Sequence, residues 1–135
     1  MPPNASVIIF DDNADLRKTL REYLQSGGHI VIGEAGSINE LERFLAHLKQ
    51  GTLPTEPVVA TLDNNAPWDD GEAPDPRGVG RAAERKIKAA IEKVTTIATT
   101  TAGSEKVGYG DYRFNPEAGM EGLSGFIDAL PAKER

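Results

Sequence analysis

Two apolar segments of this chain each lead directly into aspartates, and this repeated arrangement limits the folds that the chain can adopt. Ser6–Phe10 is followed by Asp11 and Asp12, and Val58–Leu62 is followed by Asp63. Carboxylates at the carboxyl ends of neighbouring parallel strands meet in the crevice where open α/β sheets bind ligands. Three clustered carboxylates repel one another, and their oxygen atoms suit a hard divalent cation. The pattern therefore predicts a Mg²⁺ site with one aspartate available for chemistry.

The composition fits one folded domain and excludes several kinds of function. The 135 residues are enough to bury a core, and we expect a single domain over residues 4–131. A net charge of −6 argues against direct binding to nucleic acid or to an anionic membrane. The absence of cysteine excludes disulfides, thiolate metal sites and thiol catalysis. Without a long apolar run or a signal-peptide pattern, the expected location is cytoplasmic.

Strand-like and helix-like segments alternate along the chain. Strands are predicted at residues 6–10, 29–32, 58–62, 94–99 and 112–114. Helices are predicted after Asn13, after Ser37, over 81–93 and around 120–130. The segment between residues 64 and 80 is rich in proline, glycine and acidic residues, which indicates a long loop after the third strand.

Local signals mark several boundaries of these elements. Asn13 is expected to cap the first helix, which a glycine pair ends at residues 27 and 28. The second strand is expected to be short and buried, with a turn over residues 33–36. Ser37, followed three positions later by Glu40, predicts a capping box at the start of the second helix.

The order of the elements predicts a flavodoxin-like α/β fold. Right-handed connections between the strands produce a five-stranded parallel sheet with helices on both faces. In the strand order 2-1-3-4-5, the crevice lies between the first and third strands. This order places Asp11, Asp12 and Asp63 side by side.

Over nearly its whole length the chain resembles the receiver domains of response regulators, which have a (βα)₅ fold and act in bacterial two-component signalling. Four motifs in the family's order carry the resemblance: Val7–Asn13, Leu62–Pro67, the threonine-rich end of the fourth strand, and Asp111–Pro116. No one of these motifs is specific by itself. Their combination at successive strand ends is what distinguishes the family.

The resemblance implies roles for the acidic residues. The position matching Asp63 accepts a phosphoryl group from a phosphohistidine of a partner kinase. The positions matching Asp11 and Asp12 hold Mg²⁺ together with Asp63 and the backbone carbonyl of the position matching Asn65. By this likeness the protein is a phosphoprotein whose partners are a histidine kinase or phosphotransfer protein and a downstream protein target.

The resemblance also implies that a hydroxyl at the end of the fourth strand bonds the phosphoryl group. Thr100 is preferred to Thr99 for this role, because residues 97–100 align with the usual strand ending. Tyr112 matches an aromatic residue that follows this hydroxyl inward, although a core-packing role is the alternative. Trp68 lies beside the acids in sequence and is expected either to cover the site or to contact a partner.

The chain departs from the family in two places. Asn115 stands where the family has a lysine that pairs with the acceptor carboxylate, so a charge-assisted bond to the phosphoryl group is lost. Arg113 lies two residues earlier on the same face of the strand, so its backbone is farther from the site than that of Asn115, and it is not an equivalent of the missing lysine. Between Thr100 and Asn115 there is little apolar sequence, which predicts that the helix between the fourth and fifth strands is shortened or absent.

Three functional hypotheses follow from these observations. The first is a stand-alone atypical receiver that accepts a phosphoryl group on Asp63 with Mg²⁺ and is not an enzyme. The second is a pseudo-receiver that binds a protein partner without phosphorylation, with homodimerisation left open. The third is an aspartate-nucleophile phosphatase of the haloacid-dehalogenase type, which is disfavoured because Asn65 occupies the position of that family's second aspartate.

Overall fold

The computed structural model describes residues 5–51, 57–63, 79–99, 109–115 and 122–130. Strands and helices alternate along these segments. In chain order they are β1 Ser6–Phe10, α1 Ala14–Ser26, β2 Ile30–Ala35, α2 Ile38–Lys49, β3 Val58–Leu62, α3 Val79–Ala90, β4 Val94–Thr99, β5 Tyr112–Phe114 and α4 Gly122–Asp128. Among the helices so described, none combines the length and the apolar character that a bilayer-spanning segment needs.

The five strands form one parallel sheet in the order β2-β1-β3-β4-β5. This confirms the predicted flavodoxin-like topology. The chain moves from β1 outward to β2 and then returns to the other side of β1 to form β3, so the crevice opens between β1 and β3. The predicted short connection before β5 falls at residues 100–108 and lies outside the described residues.

Both faces of the sheet are covered by helices. On one face, Ile8 and Phe10 of β1 pack with buried residues of α2 and α3, among them Leu41 and Ile87. On the other face, the buried residues come from β1, β3, β4, β5, α1 and α4, and include Val7, Ile9, Leu20, Leu24, Leu123 and Ile127. All five residues of β1 are buried, which is expected for a central strand of a parallel sheet.

The two predicted helix caps are confirmed. The Asn13 side chain accepts a hydrogen bond from the Leu16 N–H at 3.1 Å and begins α1. The Ser37 hydroxyl accepts one from the Glu40 N–H at 3.2 Å and begins α2. The Glu40 carboxylate in turn accepts from the Gly36 N–H at 2.5 Å, so the helix start and the residue before its cap are held together.

The prediction for β2 was wrong in its extent and in its burial. The strand continues through the residues predicted as a turn, because Gly33, Glu34 and Ala35 pair with Ile8, Ile9 and Phe10. The register shifts by one residue after Val7, which is a β-bulge. β2 is also an edge strand, and the Ile30 side chain is 47% exposed. Pairing with the buried strand β1 therefore outweighs the local turn composition.

α3 begins and ends earlier than predicted. It starts at Val79 instead of residue 81 and ends at Ala90 instead of residue 93. Val79 is fully buried against the core, which favours the earlier start. The predicted bounds of β3, β4 and β5 are confirmed without change.

We expect Gly33→Ala to destabilise the protein by about 1–3 kcal/mol, because a β-carbon at this position would lie 2.4 Å from the Phe44 ring on α2. Gly125→Ala on α4 is the matched control, since a β-carbon there meets nothing within 4 Å and alanine favours a helix. Urea unfolding of both variants measures the difference. Equal effects of the two substitutions would contradict the close packing described at Gly33.

Candidate functional site

The backbone of the acidic site is held by the strand ladder. Asp11 and Asp63 are the first residues after β1 and β3, and both still bond to a neighbouring strand end. The Asp11 N–H donates to the Ala35 carbonyl at 3.0 Å, and the Asp63 N–H donates to the Phe10 carbonyl at 3.0 Å. The carboxyl ends of β1, β2 and β3 are therefore fixed relative to one another before any ligand is considered.

The side chains of the three aspartates converge. One carboxylate oxygen from each of Asp11, Asp12 and Asp63 lies within 4.8 Å of the others. Three ligands of an octahedral Mg²⁺ include at most one pair on opposite sides, about 4.1 Å apart, and the other pairs are about 2.9 Å apart, so the side chains would close by up to about 2 Å around this cation. Asp11 is buried, whereas Asp12 and Asp63 are partly exposed. The acidic oxygens and their access to solvent both suit a hydrated magnesium ion.

The surroundings of the Asp11 carboxyl disfavour its ionised form. Burial raises the pKa of the Asp11 carboxyl, and the neighbouring Asp12 carboxylate raises it further. The Asn13 N–H, which donates to Asp11 at 2.9 Å, and the Arg17 guanidinium lower it without cancelling the rise. A divalent cation would favour the ionised form, so the site has an electrostatic reason to bind one.

Arg17 was not singled out by the sequence, yet it lies against the site. Its guanidinium donates to the backbone carbonyl of Asp11 at 2.5 Å. It also forms an ion pair with Glu34 of β2 at 3.7 Å, and Glu34 pairs in addition with Arg21. These contacts fasten the first turns of α1 to β2 beside the acidic site.

Of the two predicted phosphoryl-binding threonines, the structure describes one. Thr99 is buried at the end of β4, and its hydroxyl donates to the Leu62 carbonyl at 3.2 Å. Because Ala98 lies opposite Leu62 in the ladder, Thr99 is at the level of Asp63. Thr100, Asn65 and Trp68 lie outside the described residues. The roles given to all these residues stay predictions.

Tyr109 is a second hydroxyl near Asp63, and sequence reasoning missed it. Its hydroxyl donates to the same Leu62 carbonyl at 3.3 Å. Burial raises the pKa of Tyr109, and the Asp63 and Glu84 carboxylates raise it further. The phenol is therefore a neutral donor at any ordinary pH.

A polar cluster on α3 and β4 fixes the segment that enters β5. Asp111 accepts from the Lys88 ammonium at 2.9 Å and from the Thr96 N–H at 3.0 Å. Glu84 accepts from the Thr96 hydroxyl at 2.6 Å and from the Gly110 N–H at 2.8 Å. Asp111 was noted in the sequence only as part of a motif, since nothing local indicates contacts with α3.

The residues of β5 and Asn115, which follows it, divide between the core and the surface. Tyr112 and Phe114 make edge contacts with the Phe126 ring, with centroids 6.4 Å and 5.6 Å away respectively. Tyr112 thus packs against the core here, and a movement of its ring toward the phosphoryl-binding hydroxyl stays a prediction. Arg113 and Asn115 are both exposed.

Comparison with known proteins connects this geometry to one fold. No protein-family model matches the sequence, and no curated protein matches it. Solved structures do match. The PhyR response-regulator REC domain of Erythrobacter litoralis has a TM-score of 0.56 at 16% identity, covering 96% of this chain and 95% of that one. CheY in a CheX–CheY–BeF₃–Mg²⁺ complex from Borrelia burgdorferi has a TM-score of 0.58 at 19% identity, covering 93% and 90%.

A structure of two RcsB dimers bound to DNA is also similar, with a TM-score of 0.66 at 19% identity; the match covers 98% of this chain and 65% of that one. Further receiver domains match at similar levels. The resemblance stated from the motifs is therefore confirmed at the level of structure. The chain has the fold of response-regulator receiver domains.

The Asp111–Lys88 pair predicts a dependence of stability on pH. Burial acts to raise the pKa of Asp111, but Lys88 and the Thr96 N–H outweigh it and lower the pKa below 3.8. A carboxyl with a lowered folded-state pKa stabilises the fold above its unfolded pKa, and this stabilisation is lost as the pH falls through the folded-state value.

We therefore expect Asp111→Asn to lower the free energy of unfolding by about 1 kcal/mol at pH 7, a modest value because the pair is partly exposed. The difference from the parent should shrink as the pH falls below about 4. Urea unfolding at pH 7 and pH 3 measures it, with the exposed Asp15→Asn as control. A difference that does not change with pH would show that the ion pair is not its source.

Proposed function

We propose that this chain is an atypical receiver in two-component signalling and that Asp63 accepts a phosphoryl group in the presence of Mg²⁺. The supporting observation is that Asp11, Asp12 and Asp63 converge within 4.8 Å at the crevice of a receiver fold. A likeness at this level of identity establishes a fold and not an activity, so the proposal depends on the residues themselves.

The chemistry needs a carboxylate nucleophile beside charge that neutralises the phosphoryl oxygens. An Asp63 oxygen attacks the phosphorus of a phosphohistidine, the P–N bond breaks, and its electron pair returns to the imidazole. Mg²⁺, when bound, neutralises the phosphoryl oxygens. Asp11, Asp12 and Asp63 would hold the cation, with the Asn65 carbonyl as a further ligand. The Thr99 hydroxyl, or that of Thr100, would donate to the phosphoryl group.

The proposed partners are proteins. A histidine kinase or phosphotransfer protein would supply the phosphoryl group, and a downstream target would respond to it. The CheX–CheY–BeF₃–Mg²⁺ complex, which contains a chain of the same fold, supports a protein partner, and the RcsB dimers make self-association a further proposal for this chain. The net charge of −6 favours protein partners over direct contact with nucleic acid.

The second candidate is a pseudo-receiver that binds its partner without phosphorylation. Asn115 favours it, because an asparagine at the lysine position brings no charge to the phosphoryl group. This candidate predicts partner binding that survives Asp63→Ala.

We expect Asp12→Asn to weaken Mg²⁺ binding by about tenfold or more, because the substitution removes one charged ligand from the cluster. Asp15→Asn is the matched control, since it makes the same charge change on an exposed residue in the first turn of α1. Isothermal titration calorimetry with MgCl₂ gives both dissociation constants. Because burial and Asp12 raise the Asp11 pKa, protons should compete with Mg²⁺ at a higher pH than for an ordinary aspartate. Equal affinities in both variants would place the metal elsewhere.

We expect incubation with acetyl phosphate and Mg²⁺ to add one phosphoryl group, detected by intact-mass spectrometry. Asp63→Asn and removal of Mg²⁺ with a chelator should each abolish the addition, whereas Asp15→Asn should leave it unchanged. Mg²⁺ binding without any phosphoryl addition, by acetyl phosphate or by a kinase, would reject the phosphoacceptor role and favour the pseudo-receiver.

A further inference from the structure

The carbonyl of Leu62, the residue before Asp63, accepts two hydroxyl hydrogen bonds. They come from Thr99 at 3.2 Å and from Tyr109 at 3.3 Å. Both distances exceed the 2.7–2.8 Å that is most common for O–H···O bonds, so both bonds are weak. Two hydroxyl donors thus lie next to Asp63, the proposed phosphoacceptor, and neither is bonded strongly to the Leu62 carbonyl.

The position of the Tyr109 ring is set by a glycine on α3. A β-carbon on Gly80 would lie 2.6 Å from the ring carbon that carries the hydroxyl. The close approach of the ring to α3 is possible only because Gly80 has no side chain. The ring itself packs against the core face that α2 and α3 cover.

The backbone next to Tyr109 is anchored. The Gly110 N–H donates to Glu84 at 2.8 Å, and the Asp111 N–H donates to the Thr96 carbonyl at 2.9 Å. Gly110 has a φ of +88°, a conformation that favours glycine and turns the chain sharply after the tyrosine. The side chain therefore projects from a fixed base toward the end of β3.

A phosphoryl group on Asp63 would offer this hydroxyl a better acceptor than the one it has. Bonds to charged oxygens are shorter and roughly twice as strong as bonds to a neutral carbonyl. The Asp63 carboxylate is already near enough to raise the Tyr109 pKa. Asn115 carries no positive charge to pair with the phosphoryl oxygens. A neutral hydrogen-bond donor from another element would therefore add a contact that the site lacks at position 115.

We propose that Tyr109 is a phosphoryl-binding residue, whose hydroxyl leaves the Leu62 carbonyl and donates to an oxygen of the group carried by Asp63. The inference rests on the proposed function, in which Asp63 is the phosphoacceptor. Tyr109 lies in the segment before β5. Its hydroxyl would supply a hydrogen bond to the phosphoryl group in place of the charged contact that Asn115 does not make.

The test compares Tyr109→Phe with the parent protein. Phenylalanine keeps the ring against Gly80 and removes only the hydroxyl. Beryllofluoride, which stands in for the phosphoryl group on an aspartate, is titrated by calorimetry at saturating Mg²⁺. We expect its dissociation constant to rise about tenfold or more in Tyr109→Phe, with Mg²⁺ affinity unchanged to within about twofold. Tyr23→Phe, which removes an exposed hydroxyl on α1, is the control and should bind like the parent.

A second variant separates the position of the ring from its hydroxyl. Gly80→Ala displaces the ring but keeps the hydroxyl, so it should also weaken beryllofluoride binding. Combining it with Tyr109→Phe should add little further loss, because both changes remove the same contact. Thermal unfolding with and without beryllofluoride provides an independent readout, since a bound ligand raises the midpoint according to its affinity.

The outcomes separate this inference from the proposed function. If the parent binds Mg²⁺ but not beryllofluoride, the phosphoacceptor role fails and the Tyr109 contact fails with it. If the parent and Tyr109→Phe bind beryllofluoride equally, only the Tyr109 contact is overturned. An equal loss of Mg²⁺ and beryllofluoride binding in Tyr109→Phe would also overturn it, because the hydroxyl would then act through the metal site or the fold.

Discussion

The ladder between β1 and β3 runs in register from Ser6 opposite Val58 to Phe10 opposite Leu62, and the two aspartates of the crevice follow at its end. Both strands are buried along their whole length. A slip of one residue would move every side chain of a strand to the opposite face, where it would meet the wrong helix and disrupt the packing of both core clusters. The apolar packing that stabilises the sheet therefore also sets Asp11 beside Asp63. The backbone of the site is a product of strand pairing and needs no ligand to form.

The same arrangement places the site in conflict with the stability of the fold. Burial of the Asp11 carboxylate beside Asp12 works against folding, and the raised pKa of Asp11 reflects this. The protein offsets part of the conflict with neighbouring donors, the Asn13 N–H and the Arg17 guanidinium. A cluster of like charges that local hydrogen bonds only partly compensate is expected at a functional site rather than in a purely structural one.

The sequence predicted the strands that end in aspartates because their signals are local: a buried apolar run, followed at once by a charged residue. Asn13 and Ser37 were predictable as caps for the same reason. It did not predict that Gly33–Ala35 continue a strand, since their turn-like composition is overruled by pairing with β1. Nor did it indicate Tyr109 or Asp111 as neighbours of α3 and β3, because those contacts join residues more than twenty positions apart in the chain.

The bulge in β2 turns two successive residues of an edge strand, Ile32 and Gly33, toward the same side of the sheet. Val31 pairs with Val7, but Ile8 pairs with Gly33, so Ile32 is the extra residue. Beyond the bulge, Gly33 faces the Phe44 ring of α2 while Glu34 pairs with the arginines of α1. Because Ile32 has no partner on β1, deleting it would leave Gly33 opposite Ile8 and Glu34 beside the two arginines. The strand is therefore expected to tolerate the loss of this one residue, at the cost of the contacts that Ile32 makes with the core.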